Sequence, residues 1–280
     1  HNRSAREIVQ AAIQEDVQGI AVSSYQGGHL EFFKYMYDLL QENGASGIRI
    51  YGGGGGVIIP REMKELHDYG IARIFSPEDG RKLGLQGMIN IMLRECDHPT
   101  VTEADFVKEV ERLSEGRIGS VARLISYAEN HLNHQEALAA LEAAVSAVKK
   151  APVVGITGTG GAGKSSLTDE LIRRFLHDHP ESKIAVLSVD PTKQKTGGAL
   201  LGDRIRMNAI FHPNVFLRSM ATRASRSELS LAIHDAIRIV KAAGFDLILI
   251  ETSGIGQGDA EITNVSDVAM YVMTSEFGAP

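Results

Sequence analysis

The chain has 280 residues, 43% of them hydrophobic and 23% charged, with a formal net charge of −6 and no tryptophan. That length holds about two domains with separate cores, and the composition is that of a folded globular chain, not a fibrous or disordered one. No basic face is evident, which argues against nucleic acid and anionic membranes as partners. The single cysteine, Cys96, allows no internal disulfide and suits a reducing compartment. No apolar run approaches the roughly 18 residues of a membrane span. His1-Asn2-Arg3-Ser4 resembles no leader, so a cytoplasmic chain is expected, one whose beginning is missing.

Ser4-Ala5-Arg6-Glu7 has the capping-box pattern and predicts a helix with Ile8, Val9, Ala12 and Ile13 turned inward. Residues 17–24 read as a strand, and residues 30–40 as a helix with Phe33, Met36, Tyr37 and Leu40 on one face. A strand over 47–51 runs into five glycines, Gly52 to Gly56. Pro60 suits the first turn of the next helix, through Met63, Leu66 and Tyr69. A strand over 70–75 and a helix over 81–94 follow. This alternation predicts a doubly wound parallel α/β sheet whose first strands precede residue 1. The glycine run follows an apolar strand, so it lies at the carboxyl end of the sheet, where ligands of such folds bind. Glycine there means that backbone approaches something closely, a ligand or a neighbouring helix.

Three segments here, Ser23-Ser24-Tyr25 with Gly28-His29, Gly55-Gly56-Val57-Ile58-Ile59-Pro60, and Ile74-Phe75-Ser76-Pro77, resemble the adenosylcobalamin-binding domain of acyl-CoA mutases. The resemblance implies a flavodoxin-like domain over residues 1–97 with a slot for the nucleotide tail of the base-off cofactor. Ser23, Ser24, Gly55 and Gly56 become tail contacts, with Tyr25 where that family's S-x-L has leucine. The family's cobalt-ligating D-x-H-x-x-G does not occur in the sequence and is expected upstream. His29 suits a hydrogen bond in its turn better than a metal.

A polar stretch from Asp97 breaks the pattern, and Thr102-x-x-Asp105 can cap a new helix. Phe106, Val110 and Leu113 share a face, as do Ile118, Val121 and Leu124, and again Leu138, Leu141, Val145 and Val148. Residues 98–150 therefore read as helices joined at Gly116 and near Asn133 that pack onto the next domain.

That domain, 151–280, opens with an apolar strand over 152–157 and then Gly158-Thr159-Gly160-Gly161-Ala162-Gly163-Lys164-Ser165. The stretch fits G-x-x-x-x-G-K-[ST], the phosphate loop of nucleoside triphosphatases. Leu167, Leu171 and Phe175 then mark one face of a helix. Main-chain N–H groups from Gly160 to Ser166 are placed to wrap phosphates at the helix N-terminus, with Lys164 reaching the outer phosphates and the Ser165 hydroxyl holding Mg²⁺. The loop also contains G-x-G-x-x-G, but the dinucleotide fingerprint wants an acidic residue about 20 positions on. Asp190 lies late for that, and a dinucleotide site has no use for Lys164-Ser165. Strands over 184–190 and 246–250 end at Asp190 and Glu251, and Asp203 follows a short loop; three carboxylates beside a phosphate loop suit Mg²⁺ or its waters.

Val189-Asp190-Pro191-Thr192, Gly202-Asp203-x-x-Arg206-Met207 and Glu251-Thr252-x-Gly254-x-Gly256-Gln257 resemble the G-protein chaperones of methylmalonyl-CoA mutase, as do the lead-in helices before them. Cobalamin domain first and G domain second is similar to the fused isobutyryl-CoA mutases, in which a barrel binding the acyl-CoA follows. The resemblance implies two doubly wound domains joined by a helical segment, and GTP/GDP, Mg²⁺ and adenosylcobalamin as cofactors. It implies a homodimer in which GTP hydrolysis gates cofactor loading for the interconversion of isobutyryl-CoA and butyryl-CoA. Ser165, Asp190, Asp203, Glu251 and Thr252 are then the Mg²⁺ shell, with Lys164, Glu251 and Gln257 catalytic and Arg206 on the γ-phosphate. Guanine rests on the resemblance alone, since the sequence contains no N-K-x-D. Two rivals differ in the first domain. One is a metal- or cofactor-insertion GTPase or ATPase with a regulatory α/β domain. The other is a response-regulator-like module, which needs an acidic cluster where this sheet edge offers serine and glycine.

Overall fold

The computed structural model describes residues 3–24, 27–53, 55–130, 143, 150–191, 202–222, 228–252 and 258–275. Its contacts gather into two units, His1–Thr100 and Val101–Pro280.

The first unit alternates α1 (Ala5–Gln14), β1 (Gly19–Ser23), α2 (His29–Glu42), β2 (Arg49–Gly53), α3 (Pro60–Tyr69), β3 (Arg73–Phe75) and α4 (Pro77–Cys96). The capping box forms: Ser4 Oγ accepts the Glu7 N–H at 3.3 Å, and the Glu7 carboxylate accepts the Ser4 N–H at 2.7 Å. The strands pair in parallel in the order β1-β2-β3, with Ser23 beside Gly53 and Gly53 beside Phe75. Phe33, Met36 and Leu40 of α2 are fully buried, each contributing roughly 1.5–3 kcal/mol. Tyr69, expected on the inner face of α3, is instead partly exposed and donates its hydroxyl to Asp38 at 2.8 Å.

Among the boundaries that differ from the expected ones, two bear on the sheet edge. Strand β2 runs through Gly52 and Gly53, so the glycine run begins as sheet. A Cβ on Gly52 would lie 2.5 Å from Phe33 Cζ and 2.7 Å from Ile74 Cδ1, so this glycine lets α2 lie down on the sheet. Helix α4 starts at Pro77, ahead of the expected residue 81, because Ser76 and Asp79 form their own capping box. It kinks at Gly84, whose φ of 63° and ψ of 172° are not helical.

The second unit holds α5 (Glu103–Leu113), α6 (Ile118–Asn130), β4 (Val153–Gly158), α7 (Lys164–Asp178), β5 (Ile184–Pro191), α8 (Gly202–Arg206), a 3₁₀ turn (Ala209–Phe211), β6 (Val215–Thr222), α9 (Glu228–Ala242), β7 (Leu247–Thr252), α10 (Gly258–Val265) and β8 (Val268–Val272). Five strands pair in parallel in the order β6-β5-β7-β4-β8 among the described residues. Alternate residues of β5 enter different cores: Ile184 and Val186 pack with Ile172 and Leu176 of α7, whereas Ala185, Leu187 and Val189 pack with α5, α6 and α9. A strand buried on both faces explains the continuous apolar run at 184–187. Helices α5 and α6 share this core through Phe106, Leu113, Leu124 and Ile125. The buried stripe of α7 is Thr168, Ile172 and Leu176, one position on from the expected Leu167, Leu171 and Phe175, which are half-buried.

Candidate functional site

Strand β4 ends at Gly158, whose φ is 137° and where a Cβ would stand 1.9 Å from the Val272 carbonyl oxygen of β8. Only glycine fits there. The chain turns through the Ala162 N–H to Thr159 O bond at 3.2 Å, and Gly161 and Gly163 take φ of 81° and 87°. Helix α7 then begins at Lys164. A Cβ placed on Gly160, Gly161 or Gly163 meets nothing within 4 Å, so no neighbouring group crowds the loop at these positions. That turn fits a phosphate.

Lys164 is buried, and its Nζ donates to the carbonyl oxygens of Gly158 at 2.9 Å and Thr159 at 3.0 Å. The ammonium therefore lies along the loop it is expected to serve. Ser165 Oγ donates to Glu251 Oε1 at 2.7 Å, which joins the first turn of α7 to the end of β7. Glu251 is 2% exposed, and beside it the hydroxyls of Thr252 and Thr157 lie 2.9 Å apart. The register places Ile156 beside Glu251 and Val189 beside Thr252, so the ends of β4, β7 and β5 stand side by side. A hydroxyl and a carboxylate in contact are hard oxygen donors and fit Mg²⁺.

The structure thus brings Lys164, Ser165, Glu251 and Thr252 together. Gly160, Ala162 and Ser166 belong to the same loop and first turn. Asp190 closes β5 and Asp203 lies in α8, but the side chains of both fall outside the described residues, as does the whole of Gln257. Arg206 is exposed at the end of α8. Asp169, which the sequence reading passed over, takes the N–H groups of Asn208 and Ala209 on one oxygen at 2.8 and 2.7 Å.

In the first unit a cavity of about 590 Å³ opens at the carboxyl ends of the strands. Ser23, Gly53 and Gly55 line it from the strand side. Ser24 and Gly56 are not among its lining; the Ser24 N–H donates to Gly53 O at 2.9 Å, and Gly56 turns with φ of 95°. Tyr25 lies outside the described residues. The sequence does not announce the part of the lining that α4 supplies, Met88, Ile89 and Met92. Their 3/4 spacing was the available signal, and it reads equally as a core face. Mostly apolar walls and glycine at the strand ends fit a flat aromatic group, and the volume is that of a small-ligand pocket.

The loops at this edge are tied by His29, which is buried with Nε2 3.0 Å from Glu62 Oε2. The Ile59 N–H and then the His29 ring hold the Glu62 carboxyl below the usual range. In the cavity lining, burial and then hydrogen bonds with Cys96 and Glu95 push the Tyr51 phenol upward. The described residues contain no cluster of metal-ligating side chains and no helix long and apolar enough to cross a membrane.

Comparison with known proteins adds a family. Residues 121–279 match the methylmalonyl-CoA mutase-associated GTPase MeaB. Along its whole length the chain is similar to proteins named fused isobutyryl-CoA mutase. It is 74% identical to that of Geobacillus kaustophilus, covering 26% of the relative, and 58% identical to that of Cupriavidus metallidurans, covering 25%. The Nocardia farcinica protein of the same name is 51% identical, with 26% covered. The chain therefore spans about a quarter of the length of these relatives.

Proposed function

The chain belongs to the methylmalonyl-CoA mutase-associated GTPases of the MeaB family, and from that premise we propose that its second unit binds and hydrolyses GTP as the chaperone part of a fused acyl-CoA mutase. The observation that carries this reading is the glycine turn from Gly158 to Gly163 that leads into α7 at Lys164, with Ser165 in contact with Glu251. Main-chain N–H groups from Gly160 to Ser166 take the phosphate oxygens at the positive end of α7. Lys164 exchanges its two carbonyl partners for the outer phosphates, so its charge is already in place when GTP arrives. Ser165 and Glu251, joined by Asp190, Asp203 and Thr252, are the residues that would hold Mg²⁺. Mg²⁺ held there would neutralise phosphate charge. Water attacks the γ-phosphorus in line and releases a proton to solvent as the bond to the β–γ bridging oxygen breaks, giving GDP and inorganic phosphate. Arg206 stabilises the charge on the γ-phosphoryl oxygens, and Gln257 orients the water.

The first unit, in this reading, receives the nucleotide tail of adenosylcobalamin in the cavity between the strand ends and α4. Ser23 and Gly55 contact the tail directly, with Ser24 and Gly56 in the adjoining loops. The bound cofactor supplies the radical chemistry by which isobutyryl-CoA and butyryl-CoA interconvert. The acyl-CoA is held by a barrel elsewhere in the full protein, which works as a cytoplasmic homodimer, and hydrolysis in the second unit gates loading of the first. Support comes from similarity along the whole of this chain to about a quarter of each fused mutase, which a stand-alone insertion GTPase does not explain.

The test is titration of the full-length protein with a fluorescent GTP analogue, unlabelled GTP and ATP serving as competitors. Lys164→Ala is expected to weaken binding at least a hundredfold, the loss of a charge-assisted phosphate contact. Unchanged affinity in that variant, or displacement by ATP but not GTP, would overturn the reading.

A further inference from the structure

We propose that Asp169 is a positioning residue for hydrolysis: it ties the helix that begins at the phosphate loop to the segment carrying Arg206, and so sets where that arginine stands. The inference rests on the nucleotide reading above. Asp169 lies one helical turn beyond Ser165 on α7, on the same face. Its Oδ1 accepts the N–H groups of Asn208 at 2.8 Å and Ala209 at 2.7 Å, immediately downstream of α8. Within α8, the buried Arg204 sends Nη2 to the Leu217 carbonyl oxygen of β6 at 2.5 Å. Ile205 and Arg206, between these two attachments, are exposed. The short helix is thus gripped on both sides, and the residue expected at the γ-phosphate projects from the gripped segment.

An anchor for stability alone already exists, since Met207 and Ile210 are fully buried with Ile172 and Leu249. The carboxylate adds what packing does not, a fixed direction. Two charge-assisted bonds to consecutive N–H groups determine how the backbone leaves α8. They originate on the same helix whose first turn holds the phosphates, so phosphate and arginine share one rigid reference. A displacement of about 1 Å in such a group can cost on the order of a hundredfold in rate.

The experiment measures steady-state GTP hydrolysis and GTP affinity in the full-length protein for Asp169→Ala, Asp169→Asn, Arg206→Ala and the Asp169→Ala/Arg206→Ala pair. Asp169→Ala is expected to lower kcat about ten- to a hundredfold while GTP affinity stays within about threefold. Asp169→Asn keeps an oxygen able to accept both N–H groups and should retain most of the rate. In the Arg206→Ala background, Asp169→Ala should cost almost nothing more, because it acts through that arginine. Full additivity, or wild-type kcat in Asp169→Ala, overturns the inference and leaves nucleotide binding intact. A kcat loss that merely follows the unfolded fraction in urea also counts against it. Failure of the unsubstituted protein to bind GTP removes the nucleotide reading and this inference together.

Discussion

At the scale of single residues, glycines do different jobs that look alike in sequence. Gly158 is required twice over, by its φ of 137° and by the Val272 oxygen that would sit 1.9 Å from a Cβ. Gly158→Ala must push β8 away from β4 or change the backbone, at a cost of about 4 kcal/mol or more. A urea midpoint that moves by the equivalent of less than about 1 kcal/mol would show that the two strands can part cheaply. Gly160, Gly161 and Gly163 have no such neighbour; at Gly161 and Gly163 the φ of 81° and 87° is what calls for glycine. Gly52 is the reverse: its missing side chain makes room for Phe33. The motif G-x-x-x-x-G-K-[ST] made the loop legible because it specifies a backbone shape. Nothing in five consecutive glycines could reveal that the first two are strand.

At the scale of elements, helix ends and polar pairs carry the local detail. The capping boxes at Ser4 and Ser76 form as S-x-x-E and S-x-x-D predict, although the second was not read. Between α5 and α6, Glu109 is 5% exposed and accepts from Arg112 and Arg123, each at 2.8 Å. Burial pushes its carboxyl up, but bonds to Arg123 and Ser120 and the nearby arginine charges outweigh that and leave it below its ordinary 4.5. A depressed folded-state value means stability that is present above about pH 4.5 and is lost as pH falls through the lowered value. Glu109→Gln should therefore cost about 2 kcal/mol at pH 7, by leaving two arginines without their carboxylate. The gap between the two proteins in urea should shrink below about pH 4.5. A gap that stays constant across that range excludes the charge as its source. The apolar periodicity of α5 and α6 was clear in sequence. The face of α7 was read one residue off, because Lys164 and Thr168 fill part of its buried stripe and no hydrophobicity count includes them.

At the scale of the whole molecule, the alternation of strands and helices gave both parallel sheets, since a parallel strand needs a crossover and the crossovers are the helices. The cavity of the first unit was half legible. Its strand side follows from the rule that open α/β sheets bind ligands at their carboxyl edge. Its helical side depends on the kink at Gly84, which no local pattern announces. With adenosylcobalamin, the full-length protein is expected to show the base-off absorption spectrum, and Met92→Trp, which narrows the cavity, should weaken that shift. An unshifted cofactor spectrum in the unsubstituted protein, or a normal shift in the variant, removes the tail from this cavity.

The shared core of the second unit also decides where its gene can be cut. Ala185, Leu187 and Val189 turn one face of β5 toward α5, α6 and α9. A shortened protein starting at Pro152 strips α5 and α6 from that face and leaves an oily surface that drives clumping during expression. One starting at Val101 keeps its cover. The segment that looks like a spacer is the roof.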